Sequence, residues 1–416
     1  MRAFAYPQFR IFWGASLASI IAFFMTNIAR GWLILDMTNS AFMVTAVNAA
    51  GVLPMLVLSL FGGVLADRMN RRLVMIASDG FNLLVILILA LLVITDVVQV
   101  WQVFALAALN GVGFALGMPS RSATVSNLVS HRDMASGVAL STTIFSSAQL
   151  VGPAMAGYLI SAFGNGVPFV AACLLLVTAL ALLLTLRIPA ARPGIEAAFQ
   201  QSIFSGIAQG LGYVRQHTMV AGLILLGLAT TIFAMPYQTL LPVFARDILH
   251  VGANGLGWLG AMGGVGAIAG SFTVASFSNP RQMRLLMIAG GISLGVFIVL
   301  FAVSTVYLLS LALILVLGFL FQIFMTSNFT LVQIIAPDYI RGRVLSIRMV
   351  AMGLSPVGML LLGSGAQAFG AAKATAIMGA VALALVVIIL IVIPSLRKGD
   401  VDMDDGGSPP VEGSLI

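Results

Sequence analysis

Long apolar runs separated by short polar segments dominate this chain. Twelve of them reach about 20 residues, the length at which a helix crosses the hydrocarbon core of a bilayer. Their approximate limits are 10–35, 41–66, 73–95, 99–119, 136–163, 167–187, 217–243, 254–277, 284–303, 306–333, 344–369 and 373–394. Of the 416 residues, 60% are apolar and only 8% are charged, too few to cover a water-soluble fold. The pattern predicts an all-α membrane protein with twelve transmembrane helices.

Basic residues are divided unevenly between the two sides of the predicted membrane. With twelve spans, all but three of the 20 Lys and Arg fall on the side that carries both termini. The exceptions are Arg246 and Lys373, in loops on the other side, and Arg30, within the first span. The positive-inside rule therefore predicts cytoplasmic termini. This asymmetry and contacts with anionic membrane lipids account for the net charge of +7, so no nucleic-acid partner is expected.

The longest interruption between runs divides the chain into two sets of six spans. We expect an N-terminal six-helix bundle at 1–187, a cytoplasmic linker at 188–216, a C-terminal six-helix bundle at 217–395 and a disordered cytoplasmic tail at 396–416. The linker contains an amphipathic stretch suited to a helix on the membrane surface, and the tail is rich in Gly, Pro and Asp. At an offset of 206, Gly152 aligns with Gly358 and Gly157 with Gly363, which indicates a weak internal repeat.

The polar turn between the second and third runs carries one carboxylate among several arginines. It resembles the loop signature of the major facilitator superfamily of transporters, roughly G-x-x-x-D-R/K-x-G-x-R-R/K. The matches are Gly63, Asp67, Arg68, Arg71 and Arg72, and Asn70 replaces the second glycine. The resemblance implies two six-helix pseudo-repeats. It also implies a gate in which Asp67 meets the start of the eleventh span near Arg343. The alternative is that Arg71 and Arg72 only anchor the second helix.

A second motif lies in the fifth run, from Ala148 to Gly157. Gly152, Pro153 and Gly157 match the antiporter signature of the superfamily, which ends G-P-x-x-G-G and is associated with exporters, while Ala156 replaces a glycine. A Gly-Pro pair within a helix kinks it, and small residues allow close helix packing. Packing alone is the other interpretation of this motif.

Three further segments resemble the bacterial drug:proton antiporter branch that includes siderophore and macrolide exporters. They are residues 30–40, 117–129 and 341–346, and the resemblance extends from about residue 5 to 395. It implies proton-coupled efflux of small molecules from the bacterial inner membrane by alternating access. One departure is Ala108, where antiporters of the superfamily often have an arginine. Proton coupling must then use other groups.

Two ionisable residues within predicted spans are the proton-coupling candidates. Asp79 lies in the third run and Arg30 in the outer part of the first. Ionisable groups inside a membrane are costly and are functional by default. The alternatives are that Asp79 pairs with Arg71 or Arg72 near the surface, and that Arg30 is an interface anchor beside Trp32.

Uncharged polar residues in the spans are candidates for a central substrate cavity, although each could instead form a hydrogen bond between helices. They are Asn27, Asn110, Gln149, Tyr237, Gln238, Gln322 and Asn328. Four methionines lie nearby in the sequence, and methionine-rich surfaces adapt to varied ligands. This composition favours an amphiphilic or lipophilic substrate.

Nothing in the sequence suggests an enzyme, because no phosphate-binding glycine loop or catalytic cluster is present. The three histidines lie at loop edges without metal-ligand spacing, so no metal or cofactor is expected, and we expect a monomer. The predicted function is secondary active export of drug-like or siderophore-like compounds. The alternatives are an importer or lysolipid flippase of the same fold, and a non-transporting membrane scaffold or sensor.

Overall fold

The regular elements of the described chain are all helices. The computed structural model describes residues 2–68, 70–188, 203–277 and 279–398. The helices are α1 (Pro7–Thr38), α2 (Ala41–Arg68), α3 (Arg71–Ile94), α4 (Val100–Leu128), α5 (Met134–Phe163), α6 (Val167–Thr185), α7 (Ile203–Gln216), α8 (Thr218–Ile248), α9 (Gly252–Ala275), α10 (Pro280–Val303), α11 (Tyr307–Ile335), α12 (Asp338–Gly353), α13 (Ser355–Phe369), α14 (Ala371–Val392) and α15 (Ser395–Lys398). Within this part of the chain, ten helical segments are long and apolar enough to cross a membrane. Beyond those ten, α2 and α5 have 28 and 30 residues.

Several predicted boundaries were wrong because polar residues continue a helix into the protein interior. The fourth span was expected to end at residue 119, but α4 passes through Pro119 to Leu128 and carries Arg121 within it. The seventh was expected to end at 243, but α8 continues in π-helical geometry to Ile248 and includes Arg246, which we had placed in a loop. The eleventh, predicted as 344–369, is divided into α12 and α13 at Leu354.

The linker and the tail are partly helical. Fourteen residues of the predicted linker form α7, whereas 189–202 lie outside the described residues. Residues 396–398 of the predicted disordered tail belong to α15, and Leu396 is fully buried. A Cβ built on Gly222 of α8 would lie 2.7 Å from Leu396 Cδ1. This apolar contact explains why residues 396–398 form a helix, contrary to the prediction of disorder. Residues 399–416 lie outside the described part of the structure.

Helices cross at glycines where backbones touch. A Cβ built on Gly111 of α4 would lie 1.9 Å from the carbonyl oxygen of Gly51 on α2. In the second half, a Cβ on Gly318 of α11 would lie 2.1 Å from the carbonyl oxygen of Gly263 on α9. No side chain fits at either crossing, so the two halves use the same device at corresponding places.

The residues aligned by the internal repeat occupy corresponding contacts. Gly152 of α5 packs on α1, and Gly358 of α13 packs on α8. Gly157 of α5 packs on α9, and Gly363 of α13 packs on α2. The last two contacts join the first half of the chain to the second. The halves therefore meet along two seams, α5 with α9 and α2 with α13.

Large apolar side chains cover much of the outer surface. Leu308 is 76% exposed, Val392 70% and Trp101 65%. Such a surface would aggregate in water, whereas it suits contact with lipid. Two ends of the helix array are distinguished below: the basic face, where α1 begins and which carries Arg71 and Arg72, and the opposite face, where α1 ends.

Candidate functional site

A buried ion pair joins α3 to α4. Asp79 on α3 is 3% exposed and Arg121 on α4 is 7% exposed. Arg121 Nη2 donates to both carboxylate oxygens of Asp79, at 2.6 and 2.7 Å. On α1, the hydroxyl of Ser19 lies 2.8 Å from Asp79 Oδ2, and Ser16 Oγ accepts from Arg121 Nη1 at 3.1 Å. Three helices therefore share one network of charge-assisted hydrogen bonds.

Small residues on α4 make this ion pair possible. Gly113, Gly117 and Arg121 are spaced four residues apart, so they lie along one face of the helix. A Cβ built on Gly113 would lie 2.3 Å from Asn82 Oδ1 of α3, and one on Gly117 would lie 2.8 Å from Ser78 Oγ of α3. Ser78 also donates to the carbonyl of Gly113 at 2.6 Å. Larger side chains would push α3 away and separate the ion pair.

A small cavity adjoins the ion pair. It has a volume of about 20 Å³, and Asp79, Asn82 and Asn110 are among the residues that line it. Asn110 Nδ2 donates to Asn82 Oδ1 at 3.0 Å, and Asn110 Oδ1 has no hydrogen-bond partner. This volume suits about one water-sized group. Asn110 thus lines a small chamber inside the first half, not a cavity between the halves.

In the described part of the second half, an uncharged side chain occupies the position on α11 that corresponds to Arg121 on α4. Helices α4 and α11 both have 29 residues, and counted from the start of each helix Asn328 corresponds to Arg121, whereas the sequence offset of 206 pairs Arg121 with the adjacent Ser327. Asn328 Nδ2 donates to the carbonyl of Leu223 on α8 at 2.8 Å. Arg348 Nε donates to Asn328 Oδ1 at 3.1 Å, and its guanidinium lies 4.8 Å from the ring centre of Phe329. The buried charge pair is therefore specific to the first half.

Arg30 is the other sequence candidate that the structure places in the interior. It is 3% exposed on α1 and donates through Nη2 to Asn27 Oδ1. Its Nη1 has no hydrogen-bond partner. The side chain lies against Gly51 of α2, so it does not act as an interface anchor.

A polar contact closes the two halves at the opposite face. Arg246 of α8 donates through Nη1 to the carbonyl of Leu35 at 3.0 Å and to Asn39 Oδ1 at 2.9 Å. Both acceptors belong to the C-terminal end of α1, whose carbonyl groups attract a cation. The Ser40 hydroxyl lies 3.0 Å from Gln367 Oε1 of α13. This set, the opposite-face contact, links α1 and its following turn to the second half.

The motif in α5 packs on two partners. A Cβ built on Gly152 would lie 2.8 Å from Phe24 Cβ on α1, and one on Gly157 would lie 2.6 Å from Gly257 Cα on α9. Pro153 lies against Gly260, where a built Cβ would come within 2.6 Å of the proline ring. These residues bring α5 against both α1 and the second half.

The arginines at the start of α3 bond to backbone carbonyls. Arg71 Nη1 donates to the carbonyl of Ala123 at 2.8 Å, and Arg72 Nε to that of Leu183 at 2.9 Å. Neither one pairs with Asp79, so the pairing considered from the sequence was wrong about the partner. Arg121 pairs with Asp79 instead, because α4 continues beyond the apolar run that marked the predicted span.

The structure describes the remaining gate residues only in part. Gly63, Asp67 and Arg68 belong to the helical backbone of α2, but their side chains lie outside the described part of the structure. Arg343 lies on α12, where its carbonyl oxygen would be 3.1 Å from a Cβ on Gly210 of α7. The structure therefore does not test the contact expected for Asp67.

The seven cavity candidates are dispersed. Asn110 and Asn328 form hydrogen bonds inside separate halves, as described above. Tyr237 is 3% exposed and packs edge-on against Phe301, with ring centres 6.1 Å apart. Gln322 donates to Thr326 on its own helix at 2.9 Å. The half-buried residues of the set are Asn27, Gln149, Gln238 and Gln322.

Sequence reasoning missed Arg121, Ser16, Ser19 and Arg246. A signal for Arg121 was available, because Gly113 and Gly117 continue to it at a spacing of four, which marks one helix face. Among the described residues, no group of His, Cys, Asp or Glu is arranged to hold a metal ion.

Comparisons with known proteins agree on the class. The chain is similar to the crystal structure of the nucleoside transporter NupG, with a TM-score of 0.71 and 12% identity, covering 94% of this chain and 99% of that one. It is 27% identical to the multidrug efflux pump Tap of Mycolicibacterium fortuitum, over 90% of this chain and 93% of the relative. It is 23% identical to the staphyloferrin A transporter of Staphylococcus aureus (strain NCTC 8325 / PS 47), over 89% and 92%. The fold is that of a membrane transporter, not of an enzyme.

The family follows from a match that covers nearly the whole chain. The model of the family described as "Transmembrane secretion effector" matches residues 2–411. The chain belongs to this family of major facilitator transporters, and it resembles drug and siderophore exporters. The resemblance found in the sequence motifs is confirmed.

Proposed function

We propose that this protein exports small amphiphilic or lipophilic compounds in exchange for protons, by alternating access. The observation that carries the proposal is the buried pair of Asp79 and Arg121. An ion pair removed from water contributes little net stability, because desolvation offsets the attraction between the charges. A functional use explains its presence better than a structural one.

The proposed topology has twelve spans with both termini in the cytoplasm. Helices α2 and α5 are long enough to cross a bilayer, and they would complete the set of twelve. The basic face would be cytoplasmic by the positive-inside rule. The two bundles would be residues 1–187 and 217–395, in a monomer in the bacterial inner membrane. Reporter fusions in the 188–216 segment and after residue 398 should both give cytoplasmic signals, and an external signal from either would contradict this topology.

Proton binding would act through the geometry of the ion pair. A proton on Asp79 removes its negative charge and weakens both bonds from Arg121. Ser16 and Ser19 connect the same pair to α1, which also bonds to Arg246 at the opposite face. A change of charge in the first half would thereby reach the contact between the halves. The adjoining cavity would admit about one water molecule beside the carboxylate, which could exchange a proton with it.

Two gates would alternate in this mechanism. At the opposite face, the contact of Arg246 with α1 closes the halves, and Arg246 Nη1 also lies 4.0 Å from Asp36 Oδ1. At the basic face, Asp67 would meet the start of α12 near Arg343 in the alternate state. Gly152, Pro153 and Gly157 would maintain the α1–α5–α9 contacts during the exchange.

Everted membrane vesicles provide the test. A panel of neutral, cationic and anionic amphiphiles, screened on a strain that lacks the gene, first identifies a transported compound. Its uptake into everted vesicles should then require an imposed proton gradient, and Asp79→Asn should abolish that dependence. Asp96→Asn is the matched control, because Asp96 is an exposed acid in the turn after α3.

Each other outcome identifies an alternative. Wild-type transport by Asp79→Asn with unchanged pH dependence would show that Asp79 is not the proton carrier. Transport in the reverse direction would favour an importer. No gene-dependent transport of any compound would favour a scaffold or sensor.

A further inference from the structure

Among the described residues, Arg30 carries a buried positive charge that lacks a partner of opposite charge. Its Nη2 donates only to the neutral amide oxygen of Asn27, and its Nη1 has no hydrogen-bond partner. By contrast, Arg121 is neutralised by Asp79, and Arg348 bonds to Asn328 and lies over an aromatic ring. Arg284 also has an unpartnered Nε, but it lies only about one turn from the start of α10. An unpaired buried charge is strongly destabilising, so its presence calls for a ligand that compensates it.

Arg30 lies too deep to reach water by extending along the helix. It is the ninth residue from the end of α1 at Thr38, a distance of roughly 12 Å at the helical rise. The side chain is also directed toward α2, where it lies against Gly51. A Cβ built there would lie 3.8 Å from Arg30 Nη2 and 4.0 Å from Nη1.

The residue next to Arg30 on α1 adjoins the second half. Asn27 on α1 and Asn48 on α2 are half-buried, and Asn48 Nδ2 donates to the carbonyl of Val44 at 2.8 Å. A Cβ built on Gly31, next to Arg30, would lie 3.2 Å from Pro242 Cγ of α8 and 3.8 Å from Asn48 Nδ2. This is one place where the halves touch, so a separation of the halves would open α1 at the residue next to Arg30.

We propose that Arg30 binds an anionic oxygen group of the transported compound, such as a carboxylate or a phosphate. The two terminal nitrogens of a guanidinium match two oxygens of such a group, and Asn27 supplies a neutral hydrogen-bonding group beside it. This inference rests on the proposed transport function and gives its substrate class as amphiphiles that carry a negative charge.

Binding can be measured without any gradient, which separates this inference from the proposal on proton coupling. The probes are N-dansyl-phenylalanine and its uncharged carboxamide. Trp32, two residues from Arg30, can transfer excitation energy to a bound dansyl group. The protein is held in nanodiscs of phosphatidylcholine alone. Wild-type protein should bind the carboxylate about 10- to 100-fold more tightly than the carboxamide, as a charge-assisted bond predicts.

Arg30→Met should remove this preference and leave carboxamide binding unchanged. It should also raise the melting temperature, because an apolar side chain replaces an uncompensated charge. Arg30→Lys should retain a smaller preference for the carboxylate. Lys373→Met is the matched control, because it removes an exposed charge at the opposite face and should keep the full preference.

Three results would overturn the inference. The first is an equal preference for the carboxylate in wild type and Arg30→Met. The second is a fall in melting temperature with Arg30→Met, or failure of that variant to fold, which would assign Arg30 a structural role. The third is displacement of the probe by phosphatidylglycerol added to the nanodiscs, which would assign the site to a lipid headgroup.

Discussion

The buried ion pair allows a quantitative test by a double-mutant cycle. Asp79→Leu leaves the Arg121 guanidinium buried with Ser16 as its remaining side-chain partner. Arg121→Met leaves the Asp79 carboxylate beside a single hydroxyl, that of Ser19. Side-chain exposures of 9% for Arg121 and 4% for Asp79 give either stranded charge little access to water. Each single change should therefore cost about 3–5 kcal/mol of unfolding free energy.

The double variant is the informative one. Asp79→Leu combined with Arg121→Met removes both charges and fills the space with apolar groups, so its stability should fall within about 1 kcal/mol of wild type or exceed it. The assay is unfolding in mixed micelles of increasing SDS content, followed by circular dichroism. Asp96→Asn, the exposed control, should change the unfolding free energy by less than about 0.5 kcal/mol.

Additive losses would refute this reasoning. If the double variant is destabilised by the sum of the single changes, the two residues contribute independently and the ion pair is not the unit we describe. If the double variant is stable but its export no longer depends on pH, the pair serves transport and not folding.

Two further predictions concern helix crossings and the contact at the opposite face. Gly111→Ala should prevent accumulation of folded protein, because its Cβ would lie 1.9 Å from the carbonyl oxygen of Gly51. Gly80→Ala is the control and should be tolerated, because its Cβ would meet no atom within 4 Å. Size-exclusion profiles of the two expressed variants provide the comparison. Arg246→Gln should open the opposite face and speed labelling of a cysteine at Ser40 by a membrane-impermeant maleimide, and unchanged labelling would show that this arginine does not hold the halves together.

Sequence patterns predicted the helical class well because apolar runs report directly on membrane burial. The family followed from motif residues, and the repeat offset correctly paired Gly152 with Gly358 and Gly157 with Gly363. Helix ends were harder, because hydropathy falls where a helix carries polar residues into the interior. The segment around Arg121 is the main example: it appeared to be a loop, yet it completes the central ion pair.

The sequence could not predict which side chains bond to each other between distant parts of the chain. Asp79 and Arg121 are 42 residues apart, and only the close approach of α3 and α4 brings them together. Arg246 and Asn39 are separated by 207 residues and by helices α2 to α7. Asn110 and Asn328 were correctly recognised as unusual polar residues in apolar helices. Their location inside separate halves depends on which way each helix is rotated, and weak amphipathicity does not specify that rotation.

The ion pair also bears on how the chain enters the membrane during synthesis. Helix α3 alone would present the Asp79 carboxylate to lipid, which opposes insertion by roughly 2.5–3.5 kcal/mol at the centre of a span. Only the turn 95–99 separates α3 from α4, which carries the compensating Arg121. The two helices can therefore leave the insertion machinery as a hairpin whose charges neutralise each other, beside an α1 that already offers Ser16 and Ser19. The same four side chains thus set the order in which the first half assembles.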